Sequence, residues 1–592
     1  MLLTLHDPSR ARGFYEQGLW RGDTLYTLLS KHAGERPEAY ALRDSRYRLT
    51  WQQLKDWADA VAWELQQAGV PPGGRVSIWL PNRVESVVTF LACSRNGYVC
   101  NASLHQNYTV AEIVDLLRGI QASALVTQVG HGADGQVKNI YALAAELPAM
   151  KRIYQASSAR NGLKAKLGEA FPMPEGRAPP GWPWAIGSQP MLNPDKVVYI
   201  AFTSGTTGKP KILRFSTTIL SIAFTSGTTG KPKGVMHSDN TLLANGRAMV
   251  KDWRHNTDTV ILTLSPMSHH IGTVALEQGL VAGCELVVND PPSGMTSLDW
   301  VLESGATYVL GVPTHAIDIQ AAMKQRGLPR LGKVNVFYIA GAAIPAETAR
   351  TFLDQDTVPQ NVYGMTENGS HQYTRPTDDP DTIVNTCGRS CDAYEVKIFR
   401  QDDPDMEANS GEVGEIGGRG AMLMLGYFDN QSATESSFNR HGYLMSGDLG
   451  WLDANGNLHF VGRKKDLIIR GGHNIYPARI EDLAHRHPQI QKAAAFPIAD
   501  ARLGEKVCLA VIVRDGAPLD AYAVLEHLYH CGLSKFDMPE YFIQLEAFPL
   551  TPSGKVLKRE LLEWVASGHT QPMVCVGSIP TKPNKRRPWP SS

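Results

Sequence analysis

No apolar run in this chain approaches the roughly 18 residues that a membrane-spanning helix needs, so stable membrane insertion is not expected. Neither sign of charge is in excess. Lys plus Arg and Asp plus Glu stand at 58 each in 592 residues, which leaves no bulk field to draw the protein onto nucleic acid or an anionic surface. Cysteine is sparse: the eight thiols contain no CxxC pair, the closest two are Cys387 and Cys391, and nothing nearby completes a zinc set. They read as reduced thiols. The opening text MLLTLHDPSRARGFYEQ mixes acid and base early and lacks the apolar stretch of a secretory signal. From these absences a cytoplasmic location is expected, with no nucleic-acid partner.

What is present is globular: 43% of residues are apolar and 20% charged, near average soluble usage, in a chain too long for one core. LTWQQLKDWADAVAWELQQAG places Leu54, Ala58, Val61 and Leu65 at helical spacing, with Gly69 as the stop. Short apolar runs then alternate with helical text from residue 75 to about 340, including RVSIWL, ALVTQV, KVVYIAF, TVILTL and VNVFYIAG. That alternation predicts an α/β fold with a large N-terminal domain of mixed or parallel sheets. After about residue 380 shorter strands and turns (YEVKIF, GEVGEIGGRG, DANGN) predict a β-rich subdomain. Beyond it a small mobile α+β domain is expected, with a helix around Ile480–His485, the strand KVCLAVIV and a helix over Asp520–His530. The expected division is 1–464, 465–568 and a disordered tail, 569–592, containing KPNKRR.

Phosphate chemistry is written in IAFTSGTTGKPK, whose glycines, hydroxyls and lysines suit a polyphosphate cradle. A Walker P-loop is excluded because Gly227 and Gly230 are too close and Lys231 is followed by Pro232. In NVYGMTE, Tyr363 can stack on a base, Thr366 can meet a phosphate and Glu367 can hold Mg2+. Asp448 in SGDLG offers a carboxylate to ribose hydroxyls. VGRKKDLIIRGGHNIYP and TPSGKVLKREL follow near the C-terminus.

Together these motifs, in this order over roughly residues 20–566, resemble the AMP-forming acyl-CoA synthetases of the adenylate-forming superfamily. GLWRGDTL and the overall text also resemble ligases for alicyclic and medium-chain acids, including cyclohexanecarboxylate. The resemblance implies that a carboxylic acid, ATP with Mg2+, and coenzyme A are the reactants, and that acyl-AMP precedes the thioester. It assigns ATP phosphates to Thr225, Ser226, Gly227, Thr228, Thr229, Gly230, Lys231 and Lys233. Adenine goes to Gly341, Ala342 and Tyr363, and ribose to Asp448 and Arg463. Thr366 and Glu367 would serve phosphate and Mg2+. Lys555 resembles the lysine that reaches the carboxylate and α-phosphate, Lys465 stands at the hinge position where some members have Asp, and Gly471 and Gly472 resemble the segment beside CoA. His269, Val312 and Met365 fall at the acyl pocket, with a purely structural role for His269 left open. Two alternatives accompany this reading: a stand-alone enzyme loading a carrier-protein thiol, and an inactive nucleotide-binding relic. Which acid is used and the oligomeric state are not legible.

The phosphate text occurs twice, at Ile200–Lys211 and Ile222–Lys233, offset by 22 residues. The usual lead-in precedes copy one and the usual continuation, GVMHSDN, follows copy two, so removing 212–233 restores uninterrupted text. The extra residues read as an insertion. Copy two, followed by Gly234 and led by TTILSIAF as a replacement strand, is the expected functional copy. The two near-identical strands compete for one place in a sheet.

Overall fold

The computed structural model describes residues 7–157, 168–172, 189–203, 233–342, 344–514, 516, 518–550 and 556–575. The strongest helical text forms the helix Trp51–Gln67, closed at its start by Thr50 and Gln53 in a capping box. Leu54, Ala58, Val61 and Leu65 are all buried, and Gly69, at φ +75°, lets the chain turn away.

Two large sheets follow from the alternating text. In an eight-stranded sheet, Arg75–Trp79 lies between Val99–Asn101 and Ala122–Thr127, and Val197–Thr203 follows beyond Val99–Asn101. These four run parallel, and Lys233–Ser238 then joins antiparallel. A nine-stranded sheet sets Val260–Thr263, Tyr308–Gly311, Val336–Ile339 and Val358–Met365 side by side in parallel, with Gly369–Tyr373 turned back against the last. One buried cluster joins Val76 and Tyr199 from the first sheet, Leu286 and Tyr338 from the second, and Val87, Leu243 and Leu276 from helices. The helix Val84–Asn96 is buried on nearly every side, as a helix held between layers must be.

The expected β-rich text forms a four-stranded sheet in the order Tyr394–Phe399, Gly414–Gly420, Leu444–Leu452, Leu458–Arg463. The described chain divides into two compact units: one holds the residues up to Ser446 with Trp451–His459, the other Gly447–Gly450 and the residues from Phe460 onward. The second unit is α+β. Its sheet centres on Gly504–Val513, flanked by Ile490–Asp500 and Tyr541–Gln544, with helices Pro477–His485 and Ala521–His530. The long strand Ile490–Asp500 is absent from the sequence reading because alanines and Pro497 weaken its β signal. Among the described residues no helix is long and apolar enough to cross a membrane. All eight cysteines are free thiols.

In the strand paired with Lys233–Ser238 the repeat residues are those of copy one, while TTILSIAF, the replacement strand expected for copy two, lies outside the described residues. Copy one's Ile200–Thr203 completes Val197–Thr203, with Cys100 opposite Tyr199 on one side and Lys233 opposite Thr203 on the other. The reason is upstream of the repeat. Tyr199 is fully buried and packs against Phe90 at 5.3 Å and His270 at 6.1 Å, whereas the same offset places Ser221 there in copy two. A serine would leave a void costing several kcal/mol, about 3–5 for losing a large aromatic. Residues 204–232, and with them the phosphate-loop positions Thr225, Ser226, Gly227, Thr228, Thr229, Gly230 and Lys231, lie outside the described residues.

Candidate active site

In the nine-stranded sheet the registers set Gly311 opposite Ile339 and Ile339 opposite Asn361. Val312, Gly341 and Tyr363 therefore leave these levels at one carboxyl edge, where open α/β sheets bind ligands. Gly341 has φ +90°, and a methyl there would stand 3.5 Å from Val312 Cγ1. Ala342 beside it is exposed. Tyr363 is only 8% exposed and meets His371 edge-on at 5.5 Å.

Thr366 and Glu367 occupy the tip of the hairpin joining Val358–Met365 to Gly369–Tyr373. Asn368 closes that tip, accepting the Met365 amide at 3.0 Å through its side chain. Gly369 is required there: at φ +64°, a methyl would lie 2.4 Å from Asn245 Oδ1. His237 Nε2–H donates to the Thr366 carbonyl at 2.7 Å. The Tyr427 hydroxyl donates to Glu367 Oε1 at 3.0 Å. Tyr427 lies in the short strand Gly426–Tyr427, paired with Lys233–Ser238, and the Lys233 ammonium stands 4.6 Å above its ring. Burial, then the charge of Glu367, pushes the Tyr427 phenol up, so it stays a donor.

His269 caps the helix His270–Ala282, its Nδ1 accepting the Ile271 amide at 3.3 Å. The imidazole thus has a structural task beside any contact with an acyl group. Met365 and Val312 are half-buried at the same edge.

In the second unit, Arg463 Nε approaches Asp448 Oδ1 at 3.7 Å. Lys465 lies in the single turn Lys464–Asp466; although the residue as a whole is exposed, desolvation of its ammonium and the nearby charge of Arg463 lower its pKa. Gly471 and Gly472, at φ +59° and +86°, form the two-residue connection between Ile468–Arg470 and His473–Ile475, a geometry that selects glycine. Lys555 lies outside the described residues.

The described residues contain no group of three or more His, Cys, Asp or Glu able to hold a metal. Glu367 is a half-buried carboxylate with one oxygen fixed by Tyr427. A single carboxylate of this kind fits Mg2+ held jointly by protein and nucleotide phosphates, and not an all-protein cage. Tyr427 and His237 were not singled out from sequence. His237 sits in the quoted continuation GVMHSDN, but only strand pairing brings Tyr427 to Glu367.

Known proteins are similar to this chain over most of its length. The medium-chain fatty-acid–CoA ligase of Escherichia coli K12 is 27% identical over 564 residues, covering 94% of this chain and 93% of that protein. The human mitochondrial medium-chain acyl-CoA ligase ACSF2 is 28% identical over 547 residues, covering 89% and 84%. Among solved structures, ATP-bound MatB from Rhodopseudomonas palustris superimposes with a TM-score of 0.74 at 25% identity, covering 92% of this chain and 99% of that one. The anthranilate CoA ligase AuaEII with anthranoyl-AMP gives 0.76 at 18% identity, covering 93% and 98%, a likeness of fold. Residues 479–555 match the C-terminal domain of AMP-binding enzymes. The large domain matches AMP-binding enzymes over 29–217 and again over 215–428, the break falling between the two copies of the phosphate text, and the chain therefore belongs to the AMP-binding enzyme family, the adenylate-forming enzymes that its motifs resemble.

Proposed function

We propose that this protein is an ATP-dependent carboxylic acid:CoA ligase acting on medium-chain or alicyclic acids. A substrate carboxylate oxygen attacks the α-phosphorus of ATP, the bond to pyrophosphate breaks, and acyl-AMP forms. The thiol of CoA, giving up its proton, then attacks the acyl carbon and expels AMP. Both steps bring anions together, so oriented donors and cations supply the catalysis and no protein nucleophile is needed.

The observation that carries this reading is the Lys233–Tyr427–Glu367 cluster at the carboxyl edge of the sheet, in a chain of the AMP-binding family. Glu367 would hold Mg2+, which neutralises phosphate charge, and Thr366 would bond a phosphate oxygen. Gly341, Ala342 and Tyr363 frame adenine, and Asp448 with Arg463 takes the ribose. Lys233 and the loop Thr225–Lys231 hold the β- and γ-phosphates. Lys555 serves the first half-reaction. Lys465 is the hinge, and Gly471 and Gly472 line the approach of the CoA thiol in the second. His269, Val312 and Met365 border the acid. The names of the relatives support the acid class and CoA as acceptor.

The test is AMP formation from ATP and Mg2+ across aliphatic, alicyclic and aromatic acids, with CoA or a carrier protein as acceptor. Acid-dependent AMP with CoA supports the ligase. AMP only with the carrier protein makes it a loading enzyme, and ATP binding without acid-dependent turnover makes it a relic.

A further inference from the structure

The strand Lys233–Ser238 begins on the last residue of the phosphate text. Alternate side chains of a strand share a face, so Lys233, Val235 and His237 project together, and Tyr427, paired opposite Val235, projects with them. Both ends of this face reach the hairpin tip. At one end the Lys233 ammonium lies over the Tyr427 ring, whose hydroxyl holds Glu367 Oε1. At the other, His237 holds the carbonyl of Thr366 at 2.7 Å.

The imidazole is fixed in orientation and in tautomer. His237 is 1% exposed, and its ring lies nearly parallel to those of Tyr199 and His270, at 6.4 and 5.7 Å. A carbonyl can only accept, so Nε2 carries the proton, and Nδ1 is left to accept from the Thr241 hydroxyl at 3.0 Å. The tip is tied from a second direction by the Met424 amide, which donates to the Glu367 carbonyl at 2.7 Å. The Thr366 and Glu367 carbonyls belong to the two rigid peptide planes that flank the Glu367 Cα. His237 and Met424 together therefore set the direction in which the Glu367 side chain leaves the backbone, before Tyr427 takes one of its oxygens.

We propose that His237 is a positioning residue, which through the Thr366 carbonyl aims the Glu367 carboxylate at the Mg2+ that accompanies ATP. The inference rests on the reading of Glu367 given above. Groups that orient a metal ligand typically contribute about 10–100-fold in metal affinity or activity.

The experiment measures the Kd of α,β-methylene-ATP, which cannot release pyrophosphate, with Mg2+ and with EDTA. The ratio of the two reads the metal's contribution without turnover. His237→Gln places an amide N–H where Nε2 stands, His237→Asn places one at Nδ1 and falls short of Thr366, and His237→Phe keeps a ring beside Tyr199 and His270 with no donor. Mg2+ should tighten binding in the wild type, and the ratio should fall by about tenfold or more in the Asn and Phe variants, with the EDTA value unchanged. The Gln variant should keep the ratio, which a merely structural role for the ring would not predict. A wild type indifferent to Mg2+, a ratio preserved in Asn and Phe, or a ratio lost in a folded Gln variant overturns the proposal. Should Asn and Phe fail to fold, the Gln variant decides alone, and the reverse holds if Gln fails. AMP formation by the wild type, run alongside, separates the two readings: no acid-dependent AMP removes the ligase, whereas normal turnover with a preserved ratio in His237→Phe removes only the role of His237.

Discussion

Tyr427 fixes one oxygen of Glu367 through a 3.0 Å hydrogen bond while its ring carries the Lys233 ammonium 4.6 Å above its centre. One side chain thus ties a carboxylate and a cation to the same point. Removing only the hydroxyl tests the tie. A hydrogen bond to a charged group contributes about 1.5–3 kcal/mol, so Tyr427→Phe should raise the Mg2+ concentration for half-maximal AMP formation by about tenfold or more, with little change in melting temperature. An unchanged Mg2+ titration would remove Tyr427 from the site.

The strand pairing makes a prediction about the repeat. Thr203 stands opposite Lys233, and deleting residues 212–233 puts Lys211 in that place, leaving the seven residues SGTTGKP between the strands. The register survives the deletion. The shortened protein should therefore melt higher or turn over faster than the full chain, because the rival strand text of copy two is gone. Equal melting temperature and equal turnover would count against competition between the copies.

Tyr199→Ser makes the lead-in to copy one the same as Ser221 at this position. In the shortened protein it should cost about 3–5 kcal/mol in urea unfolding, as loss of a buried aromatic does. In the full chain the change should also let both strands compete, broadening the transition. A full chain losing no more cooperativity than the shortened one would refute Tyr199 as the selector.

The two half-reactions should separate by residue. Lys555→Ala should depress acyl-AMP formation far more than thioester formation from supplied acyl-AMP. Gly472→Leu should do the reverse, since a leucine at φ +86° is strained by about 1–2 kcal/mol and, at the thiol approach proposed for this glycine, would block it. Equal losses in both half-reactions for either variant would cancel its assigned role.

Glu277 also predicts a pH dependence of stability. Its folded pKa lies above the ordinary value of 4.5, so the native state holds a proton that the unfolded chain releases above that pH. Stability drawn from this group is present below about pH 4.5 and declines as pH rises toward the folded value. Glu277→Leu should therefore gain on the wild type between pH 5 and pH 7 in urea unfolding. A difference independent of pH over that range would mean that Glu277 ionises normally.

Much of this protein is legible in local text. The helical face of Leu54, Ala58, Val61 and Leu65, the alternation of apolar runs, and the motif around Thr366 and Glu367 each depend on residues close in sequence, where periodicity and turn chemistry act directly. Ile490–Asp500 escaped because its alanines hold it in the sheet only through pairing with Gly504–Val513. Tyr427 escaped because sixty residues separate it from Glu367, and no local pattern announces that contact.

By itself the sequence determined the fold class, the family, and the existence of two copies of one phosphate text. Tertiary structure decided that copy one's Ile200–Thr203 lies in the sheet, since the repeated residues carry no preference of their own and the lead-in Tyr199 is buried against Phe90 and His270. It decided, too, that Glu277 and His270 are polar groups shut away from water. Their cost arises from burial, which is a property of packing between distant elements.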